Sequence, residues 1–278
     1  MNSVDIVPFQ KHVYEIYQQH VRSFPWRDTT NPYHIVVSEI MLQQTQVNRV
    51  QGFYLNFIAL FPDFQTLAQA SLHEVLSAWS GLGYNRRAVA LHNIAKLVTQ
   101  NYQGRLPRSA QDLVTLPGIG PNTAGSIGAF AFNDPTVFIE TNIRTVFLHT
   151  FFRDQANISD KELMPLIAQT VDHNNPRAWY YALMDYGTLL KKTLPNPNRK
   201  SQHYTVQSKF VGSDRRVRGA IIRHLTQHHQ ASYNTLLNHF TLSDSPIATQ
   251  QQLDKVVKQL IEEKMIIQLA NNFLIYAE

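Results

Sequence analysis

Apolar residues recur every three to four positions through the first two thirds of the chain. Over 9–21 the set Phe9, Val13, Ile16 and Tyr17 shares one face of a helix, which stops near Phe24-Pro25-Trp26-Arg27. Pro32-Tyr33 opens a second helix carrying Ile35, Val36, Ile40, Met41 and Leu42, and a third over 47–60 stops at Phe61-Pro62. The same spacing predicts helices over 72–79, 86–100, 110–116, 123–132, 142–152, 161–170 and 178–190. Connections are short and rich in Gly, Pro, Asn or Asp, and no alternating run competes before residue 205. An all-α array is expected here.

The pattern breaks at Leu194-Pro195-Asn196-Pro197-Asn198-Arg199-Lys200-Ser201, and a charged stretch, Asp214-Arg215-Arg216-Val217-Arg218-Gly219, follows. This is read as a domain boundary, with 1–200 before it and a linker plus small domain over 201–278. Beyond it, helices are expected over 220–228, 233–240 and 249–264, the last with Leu253, Val256, Val257, Leu260 and Ile261 on one face. The period then changes to a strand over 265–269, a tight turn at Ala270-Asn271-Asn272 and a strand over 273–276. Three helices and a terminal hairpin predict a small winged-helix-like (α+β) domain.

Composition narrows the classes. At 278 residues and 44% hydrophobic, the chain buries a core, and 13 prolines and 11 glycines without a repeat exclude solenoids and low-complexity tails. Apolar runs such as Ile35-Val36-Val37 are too short to span a bilayer, and Met1-Asn2-Ser3-Val4 does not begin a charged-then-apolar leader, so no membrane contact and a cytoplasmic location are expected, on the nucleoid if the source is bacterial. Lys and Arg outnumber Asp and Glu by 25 to 20, a mild bias toward a polyanionic partner. The absence of cysteine excludes disulfides, thiol nucleophiles and cysteine-held metal or iron–sulfur centres. His228 and His229 are adjacent, and no histidine pair stands at helical ligand spacing with a carboxylate, so no metal site is expected.

Leu116-Pro117-Gly118-Ile119-Gly120-Pro121-Asn122-Thr123-Ala124-Gly125 reads as a helix end, a glycine turn and a new helix. Gly118 and Gly120 permit left-handed backbone angles and leave room for successive N–H groups to face an anion such as phosphate. Glycine spacing alone fits an ordinary turn between two helices equally well. The Leu-Pro-Gly-Ile-Gly order is similar to the phosphate-binding hairpins of the helix-hairpin-helix type.

Pro25-Trp26-Arg27, Pro32-Tyr33, the run Ser38-Glu39-Ile40-Met41-Leu42-Gln43-Gln44-Thr45-Gln46-Val47, Gly81-Leu82-Gly83-Tyr84, Arg87-Ala88, Leu91-His92 and the hairpin with Thr123-Ala124-Gly125 occur in order. From about residue 8 to 192 the chain resembles the MutY-type adenine DNA glycosylases. The resemblance implies a two-lobed, all-α helix-hairpin-helix glycosylase fold, with a six-helix lobe at about 28–137 and a second lobe from 1–27 plus 138–200. It also implies a monomer that holds double-stranded DNA in the cleft between lobes, flips a mismatched or damaged base and hydrolyses its glycosidic bond without nicking the strand. Adenine opposite 8-oxoguanine or guanine is the implied target, and a monovalent cation at the hairpin carbonyls goes with it.

Such hydrolysis needs a proton for the departing base and negative charge beside a cationic sugar, which two carboxylates in unlike surroundings supply. Glu39 lies in an apolar helix, where desolvation keeps a carboxyl protonated as a general acid. Glu140 follows Val137-Phe138-Ile139 at a helix start, where backbone N–H groups hold an ionised acid. By resemblance Glu39 matches the family's proton donor, whereas Glu140 stands where the family carries aspartate, one methylene shorter. Asp134 is read as structural. Asn142 matches a family asparagine beside the catalytic acid, and Gln43, Gln44 and Tyr84 match residues that penetrate the helical stack. Arg87, Gly118, Gly120, Asn122 and Thr123 are further expected DNA contacts, and Asn122 replaces the lysine nucleophile of strand-nicking relatives.

The family usually follows this region with four cysteines holding a four-iron, four-sulfur cluster. Here the chain continues through a cationic run in which Lys191, Lys192, Arg199 and Lys200 are expected to meet phosphate in place of the cluster loop. The domain that reads oxidised guanine is replaced by the shorter winged helix, whose Arg215, Arg216, Arg218 and Arg223 are expected to track phosphates. Two other readings remain at this level. One is a glycosylase for a different base, and the other is a non-catalytic lesion binder or transcriptional regulator.

Overall fold

A computed structural model describes residues 5–206, 210–243, 245–269 and 272–276. Helices dominate: α1 (Ile6–His20), α2 (Pro32–Leu42), α3 (Val47–Leu60), α4 (Phe64–Gln69), α5 (Leu72–Trp79), α6 (Arg86–Tyr102) and α7 (Ala110–Leu113) come first. They are followed by α8 (Pro121–Phe132), α9 (Thr141–Phe151), α10 (Asp160–Thr170), α11 (Pro176–Thr193), α12 (Asp214–His228), α13 (Tyr233–Thr241) and α14 (Gln250–Glu262). Three short strands, β1 (Ala231–Ser232), β2 (Ile266–Gln268) and β3 (Phe273–Tyr276), form one antiparallel sheet in the order β1-β3-β2. No helix among the described residues is long and apolar enough to cross a membrane.

Contacts divide the chain into two compact units, Met1–Glu39 with Pro107–Val206 and Ile40–Leu106 with Gln207–Glu278. This division differs from the lobes expected at about 28–137 and 1–27 plus 138–200. Residues 107–137 join the first unit, and the C-terminal region joins 40–106.

In the first unit α11 packs against α1 and α9. Phe9 meets Phe147, Phe151 and Trp179 edge-on, with centroids 5.1–5.8 Å apart, an arrangement the ring quadrupoles favour. Asp185, only 2% exposed, is held by Arg22 and by both terminal nitrogens of Arg27 at 2.8 Å. A buried carboxylate so paired is costly to strip of one partner, so it ties the Pro25–Arg27 turn to α11. Gly187 on α11 allows a close approach to α9, since a Cβ there would stand 2.2 Å from the Asn142 carbonyl oxygen.

The second unit joins α3–α6 to a winged-helix-like arrangement, α12-β1-α13-α14-β2-β3. Ile266 pairs with Tyr276 and Ile267 with Ile275, as the change of period predicts; Ala270 and Asn271 of the expected turn lie outside the described residues, as do Met1–Val4 of the expected leaderless start. Besides the short strand β1, which the sequence reading did not expect, two helices depart from expectation. The stretch from Asp214 to Gly219, read as linker from its charge, is the first part of α12, because Val217 aligns with Ala220, Ile221, Ile222 and Leu225 on one buried face. Helix α4 went unread because only Phe64 and Leu67 are buried along it; the Asp63 side chain, accepting from Thr66 N at 2.7 Å, caps it.

Candidate active site

The hairpin and both acids of the sequence reading fall in the first unit. Leu113 ends α7, Gly118 takes φ +77° at the turn, Gly120 is the N-cap of α8, and Pro121 supplies its first residue. The small residues of α8 then serve a second purpose. A Cβ at Gly125 would meet Phe138 Cβ at 2.7 Å and one at Gly128 would meet Thr136 Cγ2 at 2.8 Å, so the extended stretch before α9 lies flat along α8. Three hydrogen bonds fix it there. Thr136 Oγ1 donates to Gly125 O (2.7 Å), Tyr180 donates its hydroxyl to Thr136 O (2.6 Å), and Ile139 N donates to the Asn122 side-chain oxygen (3.2 Å).

That stretch delivers Glu140 as the N-cap of α9. Its Oε1 accepts from Asn142 N (2.8 Å) and Ile143 N (3.1 Å), and its Oε2 from Asn142 Nδ2 (3.2 Å). Three converging N–H donors at a helix N-terminus solvate negative charge. Asn142 is oriented in turn by Thr188 Oγ1, which donates to its side-chain oxygen at 3.3 Å. Lys191 also faces this acid: burial pulls its ammonium down, the Glu140 charge pulls it up, and Arg22 pulls it down again.

Glu39 sits at the opposite extreme, between buried Ser38 and buried Ile40 on α2. Burial pushes its carboxyl up to about 7; a hydrogen bond from Ser126 opposes the rise and the charge of Glu140 adds to it. Ser126 Oγ stands 2.5 Å from Glu39 Oε2 and 3.0 Å from Thr123 O. The arrangement therefore places a carboxyl that keeps its proton up to about 7 near a second carboxyl group faced by three N–H donors. Sequence reasoning missed Ser126. Its only linear signal was a hydroxyl one turn beyond Thr123 on the hairpin helix.

Of the expected phosphate contacts in this unit, Lys192 and Arg199 are exposed, while Lys200 donates through Nζ to Phe152 O (3.2 Å) and to Arg153 O at the end of α9. Asn198, 4% exposed, donates to Thr145 Oγ1 at 2.5 Å, so the Pro197–Lys200 turn is fastened to α9 by amide and ammonium groups. These groups are no ligand set for iron, and the segment does not fit the cluster that usually follows this region. Among the described residues no group of three acidic, histidine or cysteine side chains could hold a metal ion.

Gln43, Gln44, Tyr84 and Arg87 belong to the second unit. Gln44 is exposed at the end of α2 with φ +54°. Arg87, expected to contact DNA, is instead 8% exposed, and its guanidinium donates to the carbonyls of Met41 (2.7 Å), Gln43 (2.6 Å) and Gly83 (3.1 Å). It therefore holds the loops that carry Gln43, Gln44 and Tyr84.

Residues 37–171 match the HhH-GPD superfamily base excision DNA repair proteins. The chain is 38% identical over 173 residues to an adenine DNA glycosylase of Buchnera aphidicola subsp. Baizongia pistaciae, covering 61% of this chain and 48% of the relative. It is 32% identical over 233 residues to the adenine DNA glycosylase of Mycobacterium tuberculosis strain H37Rv, covering 74% of each. Among solved structures, a thermostable thymine-DNA glycosylase superposes with a TM-score of 0.60 at 26% identity, over 66% of this chain and 85% of that one. The chain spans about half the length of the first curated relatives that it matches, 48% and 50% for the two Buchnera proteins. The chain belongs to the HhH-GPD superfamily of base excision DNA repair proteins and, within it, to the MutY-type adenine DNA glycosylase family.

Proposed function

We propose that the protein is a monofunctional DNA glycosylase that removes adenine mispaired with 8-oxoguanine or guanine from double-stranded DNA. The observation that carries this reading is the contrast between the two acids, with Glu39 raised to about 7 and Glu140 held by three N–H donors. In the proposed reaction the Glu39 carboxyl gives its proton to a ring nitrogen of the flipped base. The glycosidic electron pair leaves with the base, and the cationic sugar is balanced by the Glu140 carboxylate. Water adds to the sugar carbon and loses a proton to a carboxylate, so the products are free adenine and an abasic site. Asn122 stands at the lysine position of strand-nicking relatives, and an amide forms no Schiff base. The names of the adenine-specific relatives support the choice of base.

The test is incubation with duplexes carrying adenine opposite 8-oxoguanine, adenine opposite guanine, or thymine opposite guanine, followed by alkali. Abasic product is expected from the adenine duplexes and not above the Glu39→Gln control from thymine. Product from thymine alone would move the reading to the substrate named for the superposed thymine-DNA glycosylase. No product from any duplex would leave a lesion binder.

A second expectation concerns Ser126. Its hydroxyl lowers the Glu39 carboxyl from where burial alone would put it. Ser126→Ala therefore raises that value further, and the alkaline limb of the single-turnover rate moves to higher pH. A limb that stays in place or moves down would remove Ser126 from the site.

A further inference from the structure

The C-terminal region reaches the loop that carries Tyr84. Between α5 and α6 the chain turns through Gly81 (φ +98°), Gly83 (φ +84°) and Tyr84 itself (φ +51°), a conformation that L side chains rarely adopt. From α12, 131 residues away, Arg215 Nη1 donates to the Tyr84 hydroxyl at 2.8 Å, and its guanidinium carbon stands 5.8 Å from the ring centroid. Arg87 lies under the same ring at 5.3 Å, and Arg49 donates to Gly81 O. The aromatic ring thus sits between two guanidinium groups, with a third on the backbone of its loop, a combination that suits stacking against bases within a polyanion.

The docking of α12 is built rather than incidental. Arg218 Nη1 donates to Glu263 at 2.9 Å, and Arg86, at the start of α6, binds the same carboxylate. Burial pushes the Glu263 carboxyl up, yet the two guanidinium groups hold it down at about 2. On the other flank of the loop His73 of α5 stacks on His229 at 4.6 Å and approaches Thr226 O at 3.3 Å. The helices on both sides of the Tyr84 loop are therefore clamped to the winged-helix-like domain.

We propose that this domain takes part in base eversion through Arg215, a positioning residue that holds the Tyr84 ring in the orientation in which it enters the duplex. The inference rests on the reading of Tyr84 as a residue that penetrates the base stack. It assigns to α12 an action on the base pair rather than on phosphate alone.

The experiment uses the full chain in the Glu39→Gln background, where base release is blocked, and a duplex with 2-aminopurine in the target position opposite guanine. Eversion is read as the rise in 2-aminopurine fluorescence at saturating protein. Arg215→Ala and Tyr84→Phe each remove the same charge-assisted hydrogen bond and are expected to lower the everted fraction relative to the stacked one about 10-fold. The double variant is expected to lose no more than the larger single loss, because the hydrogen bond that Tyr84→Phe deletes is already gone in Arg215→Ala, which also gives up the contact with the ring face. Affinity for an undamaged duplex should fall less than eversion does. Multiplying effects, or equal losses on damaged and undamaged duplexes, would make Arg215 a phosphate contact and overturn the proposal. Tyr84→Phe keeps the ring and its contact with Arg215, so its loss is expected to be the smaller one; a loss in Arg215→Ala with none at all in Tyr84→Phe marks a fold-related artefact and also overturns the proposal. If the parent chain produces no fluorescence rise and the unsubstituted protein releases no base, the eversion reading and the inference fall together. A clear rise in the parent that is unchanged in Arg215→Ala removes only the inference.

Discussion

Glu39→Gln is expected to lower the single-turnover rate of base release by about 10²–10⁴-fold, the usual contribution of a positioned general acid, while making the protein more stable at alkaline pH. The two effects share one cause. Burial raises the Glu39 carboxyl to about 7 from an ordinary glutamate value of 4.5. Below 4.5 the group is protonated whether the chain is folded or not, and folding is not penalised. As pH rises toward 7 the unfolded chain ionises first, so stability falls across that window and levels off above it. Glutamine carries no proton to lose. The variant should therefore match the parent near pH 4 and exceed it at pH 8 by about 1–3 kcal/mol, the upper end being the full shift and the lower end allowing for residual solvent contact. Denaturant melts at the two pH values check this. A variant equally stable at both, or active with an unchanged alkaline limb, would remove the buried acid from the mechanism.

Glu140→Gln should cost about 10²–10³-fold in rate, as loss of a charge aimed at a developing opposite charge does. The amide oxygen can still accept from Asn142 N and Ile143 N, so the α9 cap is expected to survive and the melting temperature to change little. A second readout is independent of rate. The charge of Glu140 helps to raise Glu39, so its removal should move the alkaline limb of the residual activity to lower pH. Glu140→Asp separates charge from reach. It keeps the negative charge, and hence the position of that limb, but draws the carboxylate back by about 1.5 Å from Asn142 Nδ2. A loss of about 10–100-fold is expected from misplacement on that scale. An aspartate variant as fast as the parent would show that the pocket is not adjusted to the longer side chain.

Much of this was legible in the order of residues because the responsible forces act locally. Periodic apolar positions place most helices to within a few residues, a glycine turn followed by proline announces the hairpin, and the apolar neighbours of Glu39 along its own helix already imply a desolvated acid. Glu140 is likewise a local feature, since an N-cap bonds to donors only two and three residues away. Where local signals misled, the competing force was packing. The charged residues of Arg215-Arg216-Val217-Arg218 resembled a linker until the buried face of α12 gave them a helix, and Arg87 looked like a DNA contact until its guanidinium was placed among carbonyls.

The remaining features depend on groups brought together from distant parts of the chain. Ser126 meets Glu39 across 87 residues and Arg215 meets Tyr84 across 131. Gly125 and Gly128 matter because Phe138 and Thr136 lie on them, and Asn198 matters because α9 offers it Thr145. A linear pattern records which side chains can bury, turn or ionise, since those tendencies belong to each residue and its near neighbours. Which hydroxyl tunes the acid, which helix approaches at a glycine, and which arginine holds the tyrosine are set by the packing of surfaces, where a shift of one or two ångströms makes or breaks a hydrogen bond.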